Sequence, residues 1–255
     1  MQLILRGDDA GASLAANRGI LTACRARRLP NASVMAVGPA LDALAGPLRE
    51  MGNSVCVGLH VTLNCEWSDN RWGPILPAAD VGSLVMPDGT FTRSPAALHE
   101  RDADRAQIRA EIEAQLATLR RAGLTVSYVD EHMGVGWLPG VRDLICELAD
   151  REGLIVAARF AHLSLKDVAG DGQLDRIAAA LDKIEPGLSA TDARVFITHP
   201  EAPSPSDPPD RRDPSEFRAR QADLALLLDP ALDVLLSQRD VSAVTYVQAN
   251  ANPST

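Results

Sequence analysis

The stretch Leu3-Ile4-Leu5-Arg6-Gly7-Asp8-Asp9-Ala10-Gly11 decides how the chain is read. It passes from a β-like run over 2–6 into a small-residue turn that carries two adjacent carboxylates. A helical pattern over 13–28 follows, so the first unit reads strand, polar turn, helix. The unit recurs. Strand-like runs at 33–37, 54–63, 125–130, 154–158, 194–198 and 241–247 alternate with helical patterns at 39–51, 102–122, 138–152 and 173–184. In the 102–122 segment Ile108, Ile112, Leu116 and Leu119 fall on one stripe. Asp213-Pro214-Ser215-Glu216 and Asp229-Pro230 read as helix starts, with Asp capping and Pro in the first turn. Strands alternating with helices imply a mostly parallel sheet. About seven or eight such units in 255 residues predict an α/β fold, a distorted TIM-like β/α barrel in a single domain. Residues 1–247 form that barrel and 248–255 a disordered tail. The stretch from about 64 to 101, with Gly73-Pro74, Pro77 and Asp88-Gly89, reads as one long loop, functional or mobile.

Composition bounds the function. Hydrophobic residues at 46% supply a large core, and charged residues at 23% match a globular chain. The formal net charge of −9 disfavours nonspecific contact with nucleic acid or anionic membranes. The cysteines Cys24, Cys56, Cys65 and Cys146 form no C-x-x-C pair, so no metal finger is expected and a reducing compartment fits. The chain opens on a strand rather than a signal sequence, and no apolar run reaches membrane-spanning length. A soluble cytoplasmic protein is the expectation, with a homodimer expected from the frequency of such assemblies.

The chemistry-bearing residues fall at strand ends. Asp8 and Asp9 follow the first strand, His60 lies in the 54–63 strand, Asp130 and His132 follow the 125–130 strand, and His199 follows 194–198. In a parallel barrel the strand C-termini open on one face, so these distant residues converge there. Two adjacent carboxylates repel, and a nearby cation relieves them. Two imidazoles and a carboxylate with open positions form a common site for a divalent catalytic metal. The same residues read singly also allow ordinary roles: helix cap for Asp8-Asp9, core histidine for His60, loop histidine for His132 and His199. Trp67, Trp72 and Trp137 sit in or beside the rim, where sugar rings could stack or the indoles simply pack. His99 and His162 are read as structural or surface residues.

On these residues the sequence resembles the YdjC-like carbohydrate deacetylases, the group that includes chitooligosaccharide deacetylases. The opening strand with Asp8-Asp9-Ala10-Gly11 looks like that family's Asp-Asp-Phe-Gly loop. Gly58-Leu59-His60-Val61-Thr62-Leu63 looks like its Gly-Leu-His motif, Asp130-Glu131-His132 like its Asp-x-His motif, and His199-Pro200 like its late His-Pro. Glu111-x-x-x-Gln115 precedes the Asp-x-His motif as in the family. The resemblance implies a metal-dependent hydrolase that removes an acetyl group from the amide nitrogen of an amino sugar, oligosaccharide or glycolipid. It assigns Asp9, His60 and His132 to the metal, Mg2+ or Zn2+. It makes Asp8 the general base and His199 the acid or oxyanion stabiliser, with Arg159 orienting Asp8 and Asp130 and Trp137 in support. Tyr128, Gly134 and Gly136 stand where the family usually carries histidine, and Ala10 where it carries Phe, which bears on the substrate more than on the chemistry. Another metal-dependent barrel enzyme, or a sugar-binding relative without catalysis, remains open on the residues alone.

Overall fold

Nine residues, Gln2–Ala10, form the first strand, β1, and all but Gln2 are buried. The computed structural model describes residues 1–166, 168–184, 193–207 and 213–251. After β1 come α1 (Leu14–Arg25), β2 (Asn31–Val34), α2 (Leu41–Met51), β3 (Cys56–Val61), α3 (Pro95–Glu100), α4 (Arg105–Arg121), β4 (Val126–Glu131), α5 (Val141–Glu152), β5 (Ile155–Val156) and β6 (Ala161–His162). Then follow α6 (Gln173–Asp182), β7 (Ala193–Thr198), α7 (Pro214–Leu228), α8 (Pro230–Gln238), β8 (Ser242–Ala243) and α9 (Tyr246–Ala251).

All the pairings in the sheet are parallel, in the order β5-β4-β3-β2-β1-β7-β6. One edge of β1 pairs β7 from Gln2 to Gly7, and the other pairs β8 at Gln2–Leu3 and β2 from Arg6 onward. β5 and β6 are neighbours in sequence but lie at opposite ends of this order, so among the described residues the barrel is open between them. A turn at Ala157–Arg159 crosses that seam. The expected distorted barrel in one domain is thus what the chain builds.

Strand alternation sorts the side chains into two layers. Leu3 and Leu5 pack outward with Leu29, Leu44 and Leu59 in the layer between sheet and helices. Ile4 packs inward with Cys56, Tyr128, Val195 and Tyr246. Polar residues continue the inward series: Arg6 and Asp8 on β1, His60 on β3, Asp130 on β4. Gly58 makes room for this lumen, because a Cβ there would lie 2.2 Å from the Tyr128 ring. The Tyr128 ring therefore rests on the glycine of the neighbouring strand.

Most helices begin at side-chain caps legible in the sequence. Ser13 accepts from the Ala16 N–H, Asp104 from Ala106, Asp213 from Ser215 and Asp229 from Ala231. The differences lie at the ends. β1 continues to Ala10, so Asp8 and Asp9 lie within the strand's last turn of pleat rather than after it. The 64–101 loop holds α3 and an isolated antiparallel bridge, Val85 to Phe91. The expected strand over 241–247 shrinks to Ser242–Ala243, and part of the expected tail is helix α9. The cause is a reciprocal cap: the Thr245 N–H donates to Gln248 Oε1 and the Gln248 N–H to Thr245 Oγ1. Residues 252–255 of the expected tail, and 208–212 of the loop before α7, lie outside the described residues. No helix among the described residues is long and apolar enough to cross a membrane.

Candidate metal centre

Asp9, the last residue of β1 but one, sits at φ 63°, a left-handed conformation uncommon for any residue but glycine. The twist brings its carboxylate to two imidazoles. Asp9 Oδ1 lies 3.1 Å from His132 Nδ1 and 3.4 Å from His60 Nε2, and the two nitrogens are 3.3 Å apart. All three residues are buried. Three lone-pair atoms in a triangle this tight repel unless a cation or protons sit among them.

Each imidazole is held from behind. His60 Nδ1 meets Asp130 Oδ1 at 2.9 Å, the two residues being cross-strand neighbours of β3 and β4. His132 Nε2 meets Glu66 Oε2 at 3.0 Å. Donating at those positions fixes the tautomers and leaves His60 Nε2 and His132 Nδ1 as bare acceptors toward Asp9. Burial pushes the His60 pKa down, but the Asp130 and Asp8 charges and the bonds to Asp130 and Asp9 outweigh it and raise it to about 10. His132 is likewise penalised by burial and lifted to about 9 by Asp9 and Glu66. Burial also opposes ionisation of Asp9, yet its bonds to His132 and His60 hold its pKa well below the usual carboxylate range. The donor set therefore fits a divalent ion: one carboxylate oxygen and two imidazole nitrogens, converging and backed by second partners.

Asp8, one residue earlier, points to the lumen. Arg6 Nε and Nη2 donate to its two oxygens at 2.6 and 2.7 Å. Arg6 Nη1 also lies 3.0 Å from Asp130 Oδ2 and donates to the Tyr246 hydroxyl at 3.1 Å. Asp8, His60 and Asp130 form a second cluster with ligand-like spacing, and the Arg6 guanidinium already supplies its cation. Ser33 donates to Asp130 Oδ2 at 2.6 Å and shares a hydrogen bond with the Tyr128 hydroxyl at 2.8 Å.

The remaining expected residues divide. His199 stands one residue beyond the Gly7–Thr198 pair of β1 and β7, in inward series with Val195 and Ile197 and beside Asp8 along the sheet. Its backbone N–H donates to Asp223 Oδ2 at 2.8 Å. Arg159 makes its side-chain ion pair with helix α5. It lies on the seam turn with an exposed side chain 3.6 Å from Asp150, and the arginine on Asp8 is Arg6. Trp137 is exposed and packs edge-on to His99 at 5.7 Å. Trp67 and Trp72 are buried and meet edge to face, with the Trp72 ring 6.2 Å from His132, so they wall the centre. At Gly136 a Cβ would lie 2.3 Å from the Glu131 carboxylate, which accepts the Gly136 N–H, so a side chain there would displace that carboxylate. Beside the centre, loops after β1, β2, β3 and β7 enclose a cleft of about 530 Å³, lined among others by Ser13, Leu14, Trp67, Asp69 and Phe217. Sequence reasoning missed Arg6, Ser33, Glu66, Arg220 and Tyr246.

The family described as YdjC-like protein matches residues 2–238. The chain belongs to the YdjC-like family. A carbohydrate deacetylase of Geobacillus stearothermophilus is 33% identical over 256 residues, covering 95% of this chain and 96% of that protein. A Homo sapiens carbohydrate deacetylase is 31% identical over 175 residues, 67% of this chain and half of the human one. Among solved structures, a putative cellobiose-phosphate cleavage protein of Enterococcus faecalis superposes with a TM-score of 0.77 at 17% identity, covering 97% and 98% of the two chains. A peptidoglycan N-acetylglucosamine deacetylase gives 0.53 at 12% identity, over 97% of this chain and 87% of the other. These structural likenesses show a shared fold and nothing further.

Proposed function

We propose that the chain is a metal-dependent carbohydrate deacetylase, which hydrolyses the N-acetyl amide of an amino sugar. The observation that carries this reading is the buried triangle of Asp9, His60 and His132 with Asp8 beside it. The deacetylase relatives in the same family support it. Two imidazoles in the donor set favour Zn2+ over Mg2+, which prefers oxygen shells. The chemistry such an ion supplies is Lewis acidity toward the amide carbonyl and a lowered pKa for water.

The chain's own groups do the rest. Asp8 takes the proton of the attacking water. Arg6 occupies one lone pair on each Asp8 oxygen and leaves others free to accept it. Asp130 and Glu66 keep the ligand imidazoles in the binding tautomer. His199 gives a proton to the departing nitrogen, so acetate and an amine leave. The cleft beside the centre is large enough for a sugar unit, with Trp67 on its wall.

The test is acetate release from N-acetylglucosamine oligosaccharides by the metal-loaded protein. Chelation should abolish it and Zn2+ restore it. Asp8→Asn should lower kcat by about 10²–10⁴-fold while metal stays bound. Undiminished turnover in both the chelated protein and D8N would sink the proposal.

A further inference from the structure

Helix α7 reaches the centre through Arg220, a residue outside every motif read from the sequence. Arg220 Nη1 lies 2.8 Å from Asp9 Oδ2. The other oxygen of that carboxylate, Oδ1, is the one that faces His60 and His132. The two oxygens are thus divided between a guanidinium and the imidazole pair.

The arginine is itself anchored. Its Nη1 is 3.4 Å from Glu201 Oε1 and its Nη2 is 3.3 Å from Glu216 Oε1, one helical turn earlier. Its backbone carbonyl accepts the Glu201 N–H at 3.2 Å. Glu201 is fully buried and Arg220 nearly so. One turn on, Asp223 accepts the His199 backbone N–H. The same helix therefore brackets the carboxylate of Asp9 and the backbone of His199. A carboxylate on a strand end at positive φ has little local reason to hold one orientation, and the Arg220 contact supplies one.

We propose that Arg220 is a positioning residue that restricts Asp9 to a single ligating oxygen. The inference rests on the metal reading above. Carboxylates bind divalent ions through one oxygen or both. With Oδ2 engaged by Arg220, Asp9 contributes one. The protein then supplies three donor atoms, the number typical of catalytic centres that keep a position open for water and substrate. Electrostatics alone would favour a different outcome, since a guanidinium beside the ion opposes its binding. Here the two glutamates on Arg220 offset that charge, so its geometric role dominates.

The test uses Co2+-loaded protein, because four- and five-coordinate Co2+ absorbs visible light more strongly than six-coordinate Co2+. Arg220→Gln frees Oδ2 and should weaken the visible bands, lowering kcat by about 10–100-fold with little change in KM. Arg220→Met, which keeps the packed stem but no donor, should behave the same and serves if R220Q does not fold. Arg220→Lys keeps a cation on Oδ2 and should move the spectrum back toward wild type. A wild-type Co2+ spectrum in R220Q or R220M overturns the inference whatever the activity, as does an R220K spectrum equal to that of R220Q. Wild-type protein that binds no Co2+ overturns it together with the metal reading. If the spectra change as stated but no form releases acetate, the positioning role stands and the deacetylase reading falls.

Discussion

At Asp130 three donors share two carboxylate oxygens. His60 takes Oδ1, and Ser33 and Arg6 take Oδ2. Its pKa is lowered against the penalty of burial, chiefly by the charges of Arg6 and His60. Asp130→Asn keeps the shape but removes the charge and turns an N–H toward one of these donors. Metal affinity should fall about 10–100-fold, read by competition with a chromophoric chelator. Unchanged affinity would mean that Asp130 supports the strand and not the ligand. The residues of the triangle and Asp8 were legible because short motifs carry them: Asp8-Asp9, the Gly-Leu-His of β3, the Asp-x-His after β4. Their partners were not. Arg6 lies two residues before Asp8 and so on the same strand face, yet spacing does not show that its guanidinium turns onto both Asp8 oxygens and reaches across to Asp130. Glu66 and Arg220 reach the centre from a loop and from a helix about 65 residues earlier and 90 residues later than His132, and spacing holds no trace of such contacts. Arg159 follows β5 as expected, and the structure places it in the turn at the open seam.

At the scale of elements, α4 does more than cover the sheet. Glu111 accepts the N–H groups of Ile75 and Leu76 at 3.0 and 3.1 Å. Gln115, one turn on, donates to the Thr62 carbonyl and to Glu111, and accepts the Thr62 N–H. Both are buried. The pair fastens the long loop after β3, which carries Glu66 and the two tryptophans, to the end of the strand that carries His60. Glu111→Gln retains the volume but opposes an amide donor to a backbone donor. It should cost about 1–3 kcal/mol in denaturant unfolding and speed proteolysis within 64–94. A loss confined to global stability, with the loop no more sensitive, would contradict this fastening. The long helices were readable from caps and stripes. Of the two-residue strands, β5 and β8 were read over 154–158 and 241–247, longer than they are, and β6 was not read, because the length of such strands is set by what lies beside them. The last helix hid in Val-Ser-Ala-Val-Thr-Tyr-Val, a β-favouring run overruled by the Thr245–Gln248 cap.

Across the whole molecule, Tyr246 of α9 stops the lower end of the lumen. Its ring lies 4.1 Å from that of Tyr128 and 5.5 Å from that of Phe160, and its hydroxyl meets Arg6. Its N–H is accepted by Asn31, whose amide also donates to Leu5 and Val244 carbonyls. Helix α9 is thus built into the floor beneath the centre. Tyr246→Ala should destabilise by about 3–5 kcal/mol. Tyr246→Phe should cost about 1.5–3 kcal/mol, because it removes a bond to a charged group. Urea midpoints measure both, and equal midpoints for Tyr246→Phe and wild type would show that Arg6 does not need this partner. The barrel class was legible from alternation, but its opening was not, since closure depends on whether β5 and β6 meet.

The register of β1 has a consequence in time. Leu3 pairs with Arg194, so one whole edge of the first strand belongs to a partner about 190 residues further along. A chain synthesised at roughly 5–20 residues per second makes β1 wait roughly 10–40 s for that partner. For that interval an apolar strand has an unpaired edge, and the aspartates at its tip have no complete site to enter. Assembly of the centre is therefore a late event in the life of the nascent chain, set by topology and not by the strength of any contact around the metal.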